Sequence, residues 1–347
     1  MRKILIIYTG GTIGMIQDGH QPYLRPADFR YIMHLLPEID KLGIEPFYHA
    51  FERPIDSSNM EPGVWMELAR LIRDSYDHFH GFVILHGTDT MAYTASALSF
   101  MLENLGKPVI LTGSQLPIDV IRTDARENFI TALEIASQEQ HRLPEVCIFF
   151  DSKVYRGNRA IKHSAEKFSA FVSPNYPPLV ESGVKLQYFT DYWLRPDPGQ
   201  PCQVHDSLDA NVGVFKFYPG IQKSVMEALL YADGLKGLIV ESYGTGNLPT
   251  FPWFIDLMRK RIQEGMLVLN ITQCQAGKVQ QDLYESSKQL LNIGVISGRD
   301  MTTASGLTKM MYLLGRYPDQ PHEVARLLGE DLRGEMTTYA IHYLASN

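Results

Sequence analysis

The sequence has few cysteines, no long apolar run and no excess of positive charge. Only three of its 347 residues are cysteines, Cys147, Cys202 and Cys274, so neither a disulfide framework nor a cysteine-based zinc site is indicated. No apolar stretch approaches the roughly 20 residues that a membrane-spanning helix needs. A formal net charge of -7 argues against non-specific binding to nucleic acid. The eleven histidines show no metal-binding spacing. We therefore expect a cytoplasmic protein that uses no metal, membrane or nucleic acid.

Short apolar runs alternate with helical patterns through the first half of the chain. Hydrophobic residues make up 45% of the sequence and charged residues 20%, as in soluble globular proteins. Helices are predicted over 62–77 and over 89–106, the second ending at the stop signal Gly106. Because the apolar runs lack polar alternation, they predict strands buried on both faces, as in a parallel sheet. The runs are KILIIY (3–8), IEPFYHAF (44–51), GFVILHG (81–87), KPVILTG (107–113) and EVCIFF (145–150).

A segment rich in Pro, Asp and Gly separates two α/β regions. We predict a linker over 191–211, after which the strand–helix rhythm resumes with GVFKFYP, LKGLIVESYG, GMLVLNITQ and IGVISGRDMT. The predicted fold class is α/β with two domains. A larger N-terminal domain (1–190) holds an open, mostly parallel sheet flanked by helices, and a smaller α/β domain spans 212–347. Open parallel sheets bind ligands beyond the carboxyl ends of their strands, so functional residues are expected in the loops that follow strands.

The first such loop has the sequence YTGGTIG. Paired glycines after a strand allow a tight turn and a close approach to a ligand. The spacing matches neither the dinucleotide fingerprint nor the phosphate-binding loop. The loop instead offers the hydroxyls of Thr9 and Thr12, with Tyr23 shortly after. A threonine hydroxyl is a weak nucleophile unless a base activates it. A plain turn with capping threonines is an equally good interpretation of this loop alone.

The second loop has the sequence HGTDT and lies where a buried strand meets a helix. In isolation, Thr88 or Asp89 is best interpreted as a helix cap. Alternatively, the Asp89 carboxylate could bind a substrate ammonium, while the helix N-terminus offers N–H donors to an oxyanion. His86 is interpreted as a core histidine rather than a ligand.

Three further stretches carry candidate polar groups. Asp56, Ser57 and Ser58 could bind a carboxylate, although the local pattern favours a helix cap. Lys162 in RGNRAIK is of interest only if it folds back onto Asp89, where it could join a proton relay. The GTGN turn could be only a turn, or could present a side chain to a neighbouring pocket.

Together these motifs resemble the bacterial L-asparaginase family, and specifically its cytoplasmic type I branch. YTGGTIG, DSS, HGTDT, YRGNRAIK, SYGTGN and LNITQC occur in the family's order and span nearly the whole chain. The resemblance implies hydrolysis of L-asparagine to L-aspartate and ammonia without metal or cofactor. It implies the catalytic residues Thr12, Tyr23, Thr88, Asp89 and Lys162. It implies the substrate-binding residues Asp56, Ser57, Ser58, Thr88, Asp89, Ser114 and Asn247.

The resemblance also implies a homotetramer built as a dimer of dimers, in which Asn247 reaches the pocket of a neighbouring subunit. Some bacterial cytoplasmic members bind a second, allosteric asparagine through an arginine just before SYGxGN. This sequence has Glu241 there, and Ile161 replaces a threonine. We expect that site to be lost or altered, since a carboxylate repels the effector's carboxylate. The region concerned comprises Glu241, Thr272, Gln273 and Cys274. The alternatives are the amidase subunit of a tRNA-dependent amidotransferase, ranked low because the chain starts on its first strand, and a non-catalytic amino-acid-binding module.

Overall fold

The computed structural model describes residues 1–17, 24–26, 29–281 and 285–337. Its internal contacts divide the chain into two compact units, Met1–Asp206 and Ser207–Asn347. Each unit combines a mainly parallel sheet with helices, which confirms the predicted class of two α/β domains with the larger sheet in the N-terminal one.

The first unit contains the longer run of strands and four α-helices among its described residues. The strands are β1 (Arg2–Tyr8), β2 (Met15–Gln17), β3 (Leu24–Pro26), β4 (Ile44–Ala50), β5 (Gly81–Leu85), β6 (Leu102–Glu103), β7 (Val109–Thr112), β8 (Val146–Phe150), β9 (Lys153–Arg156), β10 (Ile161–Lys162), β11 (Phe171–Val172), β12 (Val180–Ser182), β13 (Leu186–Tyr188) and β14 (Gln203–Val204). The helices are α1 (Phe29–His34), α2 (Pro62–Ser75), α3 (Met91–Met101) and α4 (Ala125–Ser137). Short 3₁₀ turns at Thr12–Gly14, Ser57–Asn59 and Gly157–Arg159 connect some of them.

The main sheet of this unit has the strand order β13-β12-β9-β8-β7-β5-β1-β4 within the described residues. The five strands from β8 to β4 run parallel, whereas β9, β12 and β13 add antiparallel pairings at the other edge. Every residue of β5, β7 and β8 is buried. Their uninterrupted apolar runs are therefore explained by helices that cover the sheet, with α3 packed on β8 and α4 on β1, β5 and β7.

One predicted feature of the sheet was wrong. The run at 44–51 was expected to be buried on both faces, but β4 is the edge strand and most of its residues are exposed. Phe47 and Tyr48 have 37% and 52% of their surface exposed. An apolar run indicates strand propensity but does not say whether a strand has neighbours on both sides.

The end of helix α3 also differs from the prediction. The helix stops at Met101 instead of Gly106, because Leu102 and Glu103 leave it to pair antiparallel with Gln203 and Val204. Asn104 then adopts a left-handed conformation with φ of 56°, which asparagine tolerates better than most residues. This pairing attaches part of the proline-rich segment to the first unit. The bounds 191–211 for the linker stay a prediction.

The second unit has a parallel sheet in the order β15-β16-β17-β18 in the part of the chain that is described. Its strands are β15 (Val212–Lys216), β16 (Gly237–Ser242), β17 (Leu267–Thr272) and β18 (Ile296–Ser297). Its helices are α5 (Lys223–Leu230), α6 (Pro252–Gln263), α7 (Glu285–Asn292), α8 (Thr303–Arg316) and α9 (Pro321–Leu328). The central strands are buried and pack with Phe217, Phe254 and Met258 into one apolar cluster. Within the described ranges, no helix has the length and apolar character required to cross a membrane.

Candidate active site

The loop after β1 is shaped by two glycines with positive φ. Gly10 and Gly11 have φ of 132° and 93°, a region that residues with a side chain rarely adopt. A Cβ on Gly11 would lie 2.4 Å from the backbone nitrogen of Gly87. A Cβ on Gly10 would lie 2.3 Å from the carbonyl oxygen of Ile55. The glycines therefore let this loop pack directly on the loops that follow β4 and β5.

The two threonines of this loop have different surroundings. Thr9 is buried, and its hydroxyl donates a hydrogen bond of 2.9 Å to the carbonyl oxygen of Leu85. It therefore ties the end of β1 to β5. Thr12 is half-buried and starts the 3₁₀ turn Thr12–Gly14 directly after the two glycines. Tyr23, the other candidate from this region, lies outside the described residues.

The loop after β4 carries the DSS motif. The Asp56 carboxylate accepts hydrogen bonds from the backbone N–H and the hydroxyl of Ser58, at 2.9 and 2.8 Å. These two bonds, the backbone one foremost, lower the pKa of Asp56. Asp56 is thus the N-cap of the 3₁₀ turn Ser57–Asn59, whereas the N-cap of α2 is Glu61. Ser57 is buried, and its Oγ would be 2.5 Å from a Cβ placed on Gly87.

The loop after β5 and the short strand β10 bring three predicted residues together. Lys162 Nζ donates to Thr88 Oγ1 at 2.8 Å and to Asp89 Oδ1 at 2.5 Å. The lysine side chain is 18% exposed, and that of Asp89 is 64% exposed. Lys162 is more than 70 positions away from both partners in the sequence. The condition that made Lys162 interesting, that it folds back onto Asp89, is met.

These loops meet because β4, β1 and β5 are neighbouring parallel strands whose carboxyl ends lie at one edge of the sheet. Gly11 packs on Gly87, and Thr90 Oγ1 donates to the carbonyl oxygen of Ser57 at 2.7 Å. Thr12 and Thr88 each follow directly one of the two packed glycines. The arrangement therefore places two threonine-bearing loops, a lysine and a carboxylate at a single edge.

His86 lies beneath this edge as a fully buried, neutral side chain. Burial lowers its pKa to about 4. Its Nδ1 is 2.7 Å from the carbonyl oxygen of Gly87, which can only accept, so Nδ1 carries the proton. Nε2 then accepts from Thr94 Oγ1 at 2.9 Å, and Trp65 Nε1 donates to the same threonine. His86 is a core histidine, as its sequence context indicated, and it fixes the carbonyl of the peptide that precedes Thr88.

The loop after β7 supplies one predicted residue and one that the sequence analysis missed. Ser114 is buried, and its hydroxyl donates to the carbonyl oxygen of Leu116 at 2.6 Å, within its own loop. The neighbouring Gln115 contacts the catalytic candidate Thr88, because its Oε1 accepts from Thr88 Oγ1 at 3.3 Å. Its position directly after a buried strand, at the same sheet edge as the other loops, was the available signal.

The remaining candidates belong to the second unit. Asn247 closes the GTGN turn by backbone hydrogen bonds with Tyr243. Glu241 is the second-to-last residue of β16, and its Oε1 accepts from Thr303 Oγ1 at 2.5 Å. Gln273 Nε2 donates to the backbone oxygens of Phe217 and Glu241. Thr272 Oγ1 donates to Gly244 and accepts from the backbone N–H of Cys274, so the four residues of the suspected allosteric region lie at the ends of adjacent strands.

Among the described residues, no group of three or more His, Cys, Asp or Glu side chains is arranged to hold a metal ion. The edge assembled from the loops after β1, β4, β5 and β7 offers hydroxyls and carboxylates, which include the exposed Asp56 and Asp89, and Lys162 of β10 adds an amine. Such groups are suited to nucleophilic attack and to proton transfer on a small polar substrate.

Comparison with known proteins places this arrangement in a family. Residues 3–193 match the model described as Asparaginase, N-terminal, and residues 211–328 match the Glutaminase/Asparaginase C-terminal domain. L-asparaginase 1 of Escherichia coli (strain K12) is 42% identical over 338 residues, covering 97% of this chain and 98% of that protein. A glutamyl-tRNA(Gln) amidotransferase subunit of Pyrococcus abyssi is 31% identical, covering 97% of this chain and 77% of that protein.

A solved structure agrees with these matches. L-asparaginase I from Vibrio cholerae superposes with a TM-score of 0.88 at 40% identity, covering 97% of this chain and 99% of that one. The two family models together span most of the sequence, and the E. coli protein matches it nearly from end to end. The resemblance seen in the sequence motifs is thereby confirmed, and the chain belongs to the asparaginase family.

Proposed function

We propose that the protein hydrolyses the side-chain amide of L-asparagine, giving L-aspartate and ammonia without a metal or cofactor. The observation that carries this proposal is the contact of Lys162 with Thr88 and Asp89, on a loop packed against the one that carries Thr12. Family membership supports the same reaction, since both the E. coli relative and the V. cholerae structure are named L-asparaginases.

We assign the residues that bind the substrate by matching their charge and hydrogen-bonding groups to those of asparagine. Asparagine carries an ammonium, a carboxylate and a neutral amide, so its pocket needs an anion, hydrogen-bond donors and a nucleophile facing the amide. Asp89 is the anion: Lys162 holds its Oδ1, and 64% of its side chain is exposed and accessible to a substrate ammonium. For the α-carboxylate we assign the Ser57 hydroxyl and nearby backbone N–H groups. The hydroxyl and backbone N–H of Ser58 are directed at Asp56, so Ser58 is the weaker donor candidate.

The proposed chemistry uses both threonines. The Thr12 oxygen attacks the amide carbon, and backbone N–H groups at the start of α3 stabilise the charge on the carbonyl oxygen. The C–N bond then breaks, the nitrogen takes up a proton and leaves as ammonia, and water cleaves the ester to release aspartate. Thr88 and Lys162 relay the protons. Tyr23, which lies outside the described residues, is assigned a catalytic role from the family resemblance alone.

Ammonia release by the purified protein tests the proposal. A concentration series of L-asparagine, L-glutamine and D-asparagine reports the reaction, the selectivity and the cooperativity together. Thr12→Ala and Thr88→Ala are each expected to abolish turnover while the protein stays folded. Near-normal turnover in either variant would remove that threonine from the mechanism.

The same measurements separate the rival functions. An amidotransferase subunit, the assignment of the P. abyssi relative, would need its partner or tRNA, whereas an asparaginase releases ammonia by itself. A non-catalytic binding module would bind asparagine in a calorimetric titration without any turnover.

We also propose that the second, allosteric asparagine site is lost or altered. The support is that Glu241 accepts from Thr303, the first residue of α8, where backbone N–H groups favour negative charge. In the related proteins an arginine at this position would pair with the effector's carboxylate, whereas the carboxylate of Glu241 would repel it. We expect hyperbolic dependence of the rate on asparagine concentration. Clearly sigmoidal kinetics would contradict this.

Assembly is proposed from the family resemblance. We expect a homotetramer, a dimer of dimers, in which Asn247 reaches the pocket of a neighbouring subunit. Sedimentation analysis would give the mass of the assembly. Asn247→Ala should lower activity without changing that mass, and an active monomer would refute the assignment.

A further inference from the structure

The side chain of Gln115 joins the hydroxyl of Thr88 to the segment that follows Lys162. Its Oε1 accepts from Thr88 Oγ1 at 3.3 Å. Its Nε2 donates to the carbonyl oxygens of Ala165 and Lys167, both at 3.1 Å. One amide therefore bridges the two parts of the chain that supply Thr88 and Lys162.

The orientation of this amide follows from its partners. Both backbone carbonyls can only accept hydrogen bonds, so the NH₂ group of Gln115 must face Ala165 and Lys167. The oxygen is then the atom presented to Thr88. No rotation of the amide by 180° satisfies the same three partners.

This orientation sets the direction of the Thr88 hydroxyl. Lys162 Nζ donates to the Thr88 oxygen at 2.8 Å, so the hydroxyl hydrogen is directed to Gln115 instead of to the lysine. The Gln115 bond is the longer of the two, which makes it the weaker and lets the hydroxyl turn during a proton transfer.

Gln115 is itself held firmly. Its backbone N–H lies 3.0 and 3.1 Å from the two carboxylate oxygens of Asp124, the residue before α4. The same carboxylate accepts from the backbone N–H of Leu116 at 3.1 Å. The amide is thus anchored to the start of a helix that packs on the central strands of the sheet.

We propose that Gln115 is a positioning residue for the amide hydrolysis. It orients the Thr88 hydroxyl and holds the segment 163–168 so that Lys162 stays on Thr88 and Asp89. This proposal rests on the proposed function. Its tests include one readout that does not depend on turnover.

Gln115→Leu removes all three side-chain hydrogen bonds at nearly the same volume. We expect kcat for asparagine to fall by about 10- to 100-fold with little change in KM, because displacement of a catalytic group costs rate more than binding. Hydrogen exchange over residues 163–170 should become faster, since the segment loses its two bonds to Gln115.

Gln115→Glu gives a readout that a purely structural role would not produce. An ionised carboxylate repels the carbonyls of Ala165 and Lys167, whereas a protonated carboxyl donates to one of them and accepts from Thr88. The charged groups near it include Lys162 and Asp89 beyond Thr88, Asp124 at its backbone, and the exposed Glu166 and Lys167 of the segment that it contacts. The activity of this variant, divided by that of the parent protein at the same pH, should therefore rise as the pH falls.

The matched control is Asn104→Asp. Asn104 Nδ2 also donates to two backbone carbonyls, those of Asp197 and Gln200, but at an exposed place away from the candidate site. The activity of Asn104→Asp, divided by that of the parent protein at the same pH, should not rise as the pH falls.

A Gln115→Leu variant with kcat within about 3-fold of the parent protein, or a pH-independent activity ratio for Gln115→Glu, would overturn the proposal. If the parent protein releases no ammonia, the proposed function fails. In that case unchanged exchange over 163–170 overturns the anchoring by Gln115, and faster exchange supports it.

Discussion

Replacing Lys162 by methionine separates its contribution to catalysis from its contribution to folding. The ammonium lies 2.8 Å from Thr88 Oγ1 and 2.5 Å from Asp89 Oδ1, and the Asp89 side chain is 64% exposed. Because water screens a pair of this kind, its loss should lower the free energy of unfolding by about 1 kcal/mol or less. Loss of a group that transfers a proton should lower kcat by about 10²- to 10⁴-fold. That loss corresponds to about 3–5 kcal/mol in the activation free energy, several times the folding effect.

The assay measures ammonia release and urea unfolding on the same preparations. Lys162→Arg keeps the positive charge beside Asp89, but a guanidinium is not deprotonated in proteins, so this variant should also be nearly inactive. Lys167→Met removes an exposed lysine from the same segment and should leave both quantities unchanged. The proton-relay role is refuted if Lys162→Arg keeps more than about a tenth of the activity. It is also refuted if, in the Lys162→Met variant, the free energy of unfolding falls by as much as the activation free energy rises.

Three further variants test other parts of the structure. Gly11→Ala should lower both activity and stability, since its Cβ would lie 2.4 Å from the nitrogen of Gly87. The control Gly43→Ala is also at positive φ but has open space around it, so it should lower only stability. Equal activities of the two variants would refute the packing argument. His86 has its pKa lowered by burial from 6.5 to about 4, so the unfolded state takes up a proton first and stability falls as the pH drops through this window, by at most about 3 kcal/mol. In His86→Asn, the free energy of unfolding measured in urea should differ less between pH 8 and pH 5 than in the parent protein. An unchanged difference would show that groups other than His86 cause the loss of stability in acid. Lys309 and Glu335 form a fully buried ion pair at 2.6 Å, so Lys309→Met should cost about 3–5 kcal/mol in urea unfolding. Adding Glu335→Leu should recover only part of this loss, because Glu335 also accepts from the backbone N–H groups of Leu332 and Arg333. Losses of the two substitutions that simply add would contradict the pairing.

The sequence alone determined the parallel strands of the two sheets and the loops that follow them. Uninterrupted apolar runs such as those of β5 and β8 predict buried strands, because a strand covered on both faces cannot accommodate polar side chains. The paired glycines after β1 predicted a close backbone approach at that point, and the motifs indicated the family. The apolar runs and the paired glycines are local features of the sequence, and the family is indicated by the order of the motifs along the chain.

Only the tertiary structure decided which of these residues meet. The residue types of the first loop do not by themselves distinguish Thr9 from Thr12, but the pairing of β1 with β5 ties Thr9 to Leu85 and leaves Thr12 at the start of the next turn. The exposure of β4 follows from its place at the sheet edge, which its composition does not encode. Gln115 and Lys162 reach Thr88 from 27 and 74 residues away. Contacts between distant segments depend on strand order and on the path of each loop, and no local pattern of residues specifies either.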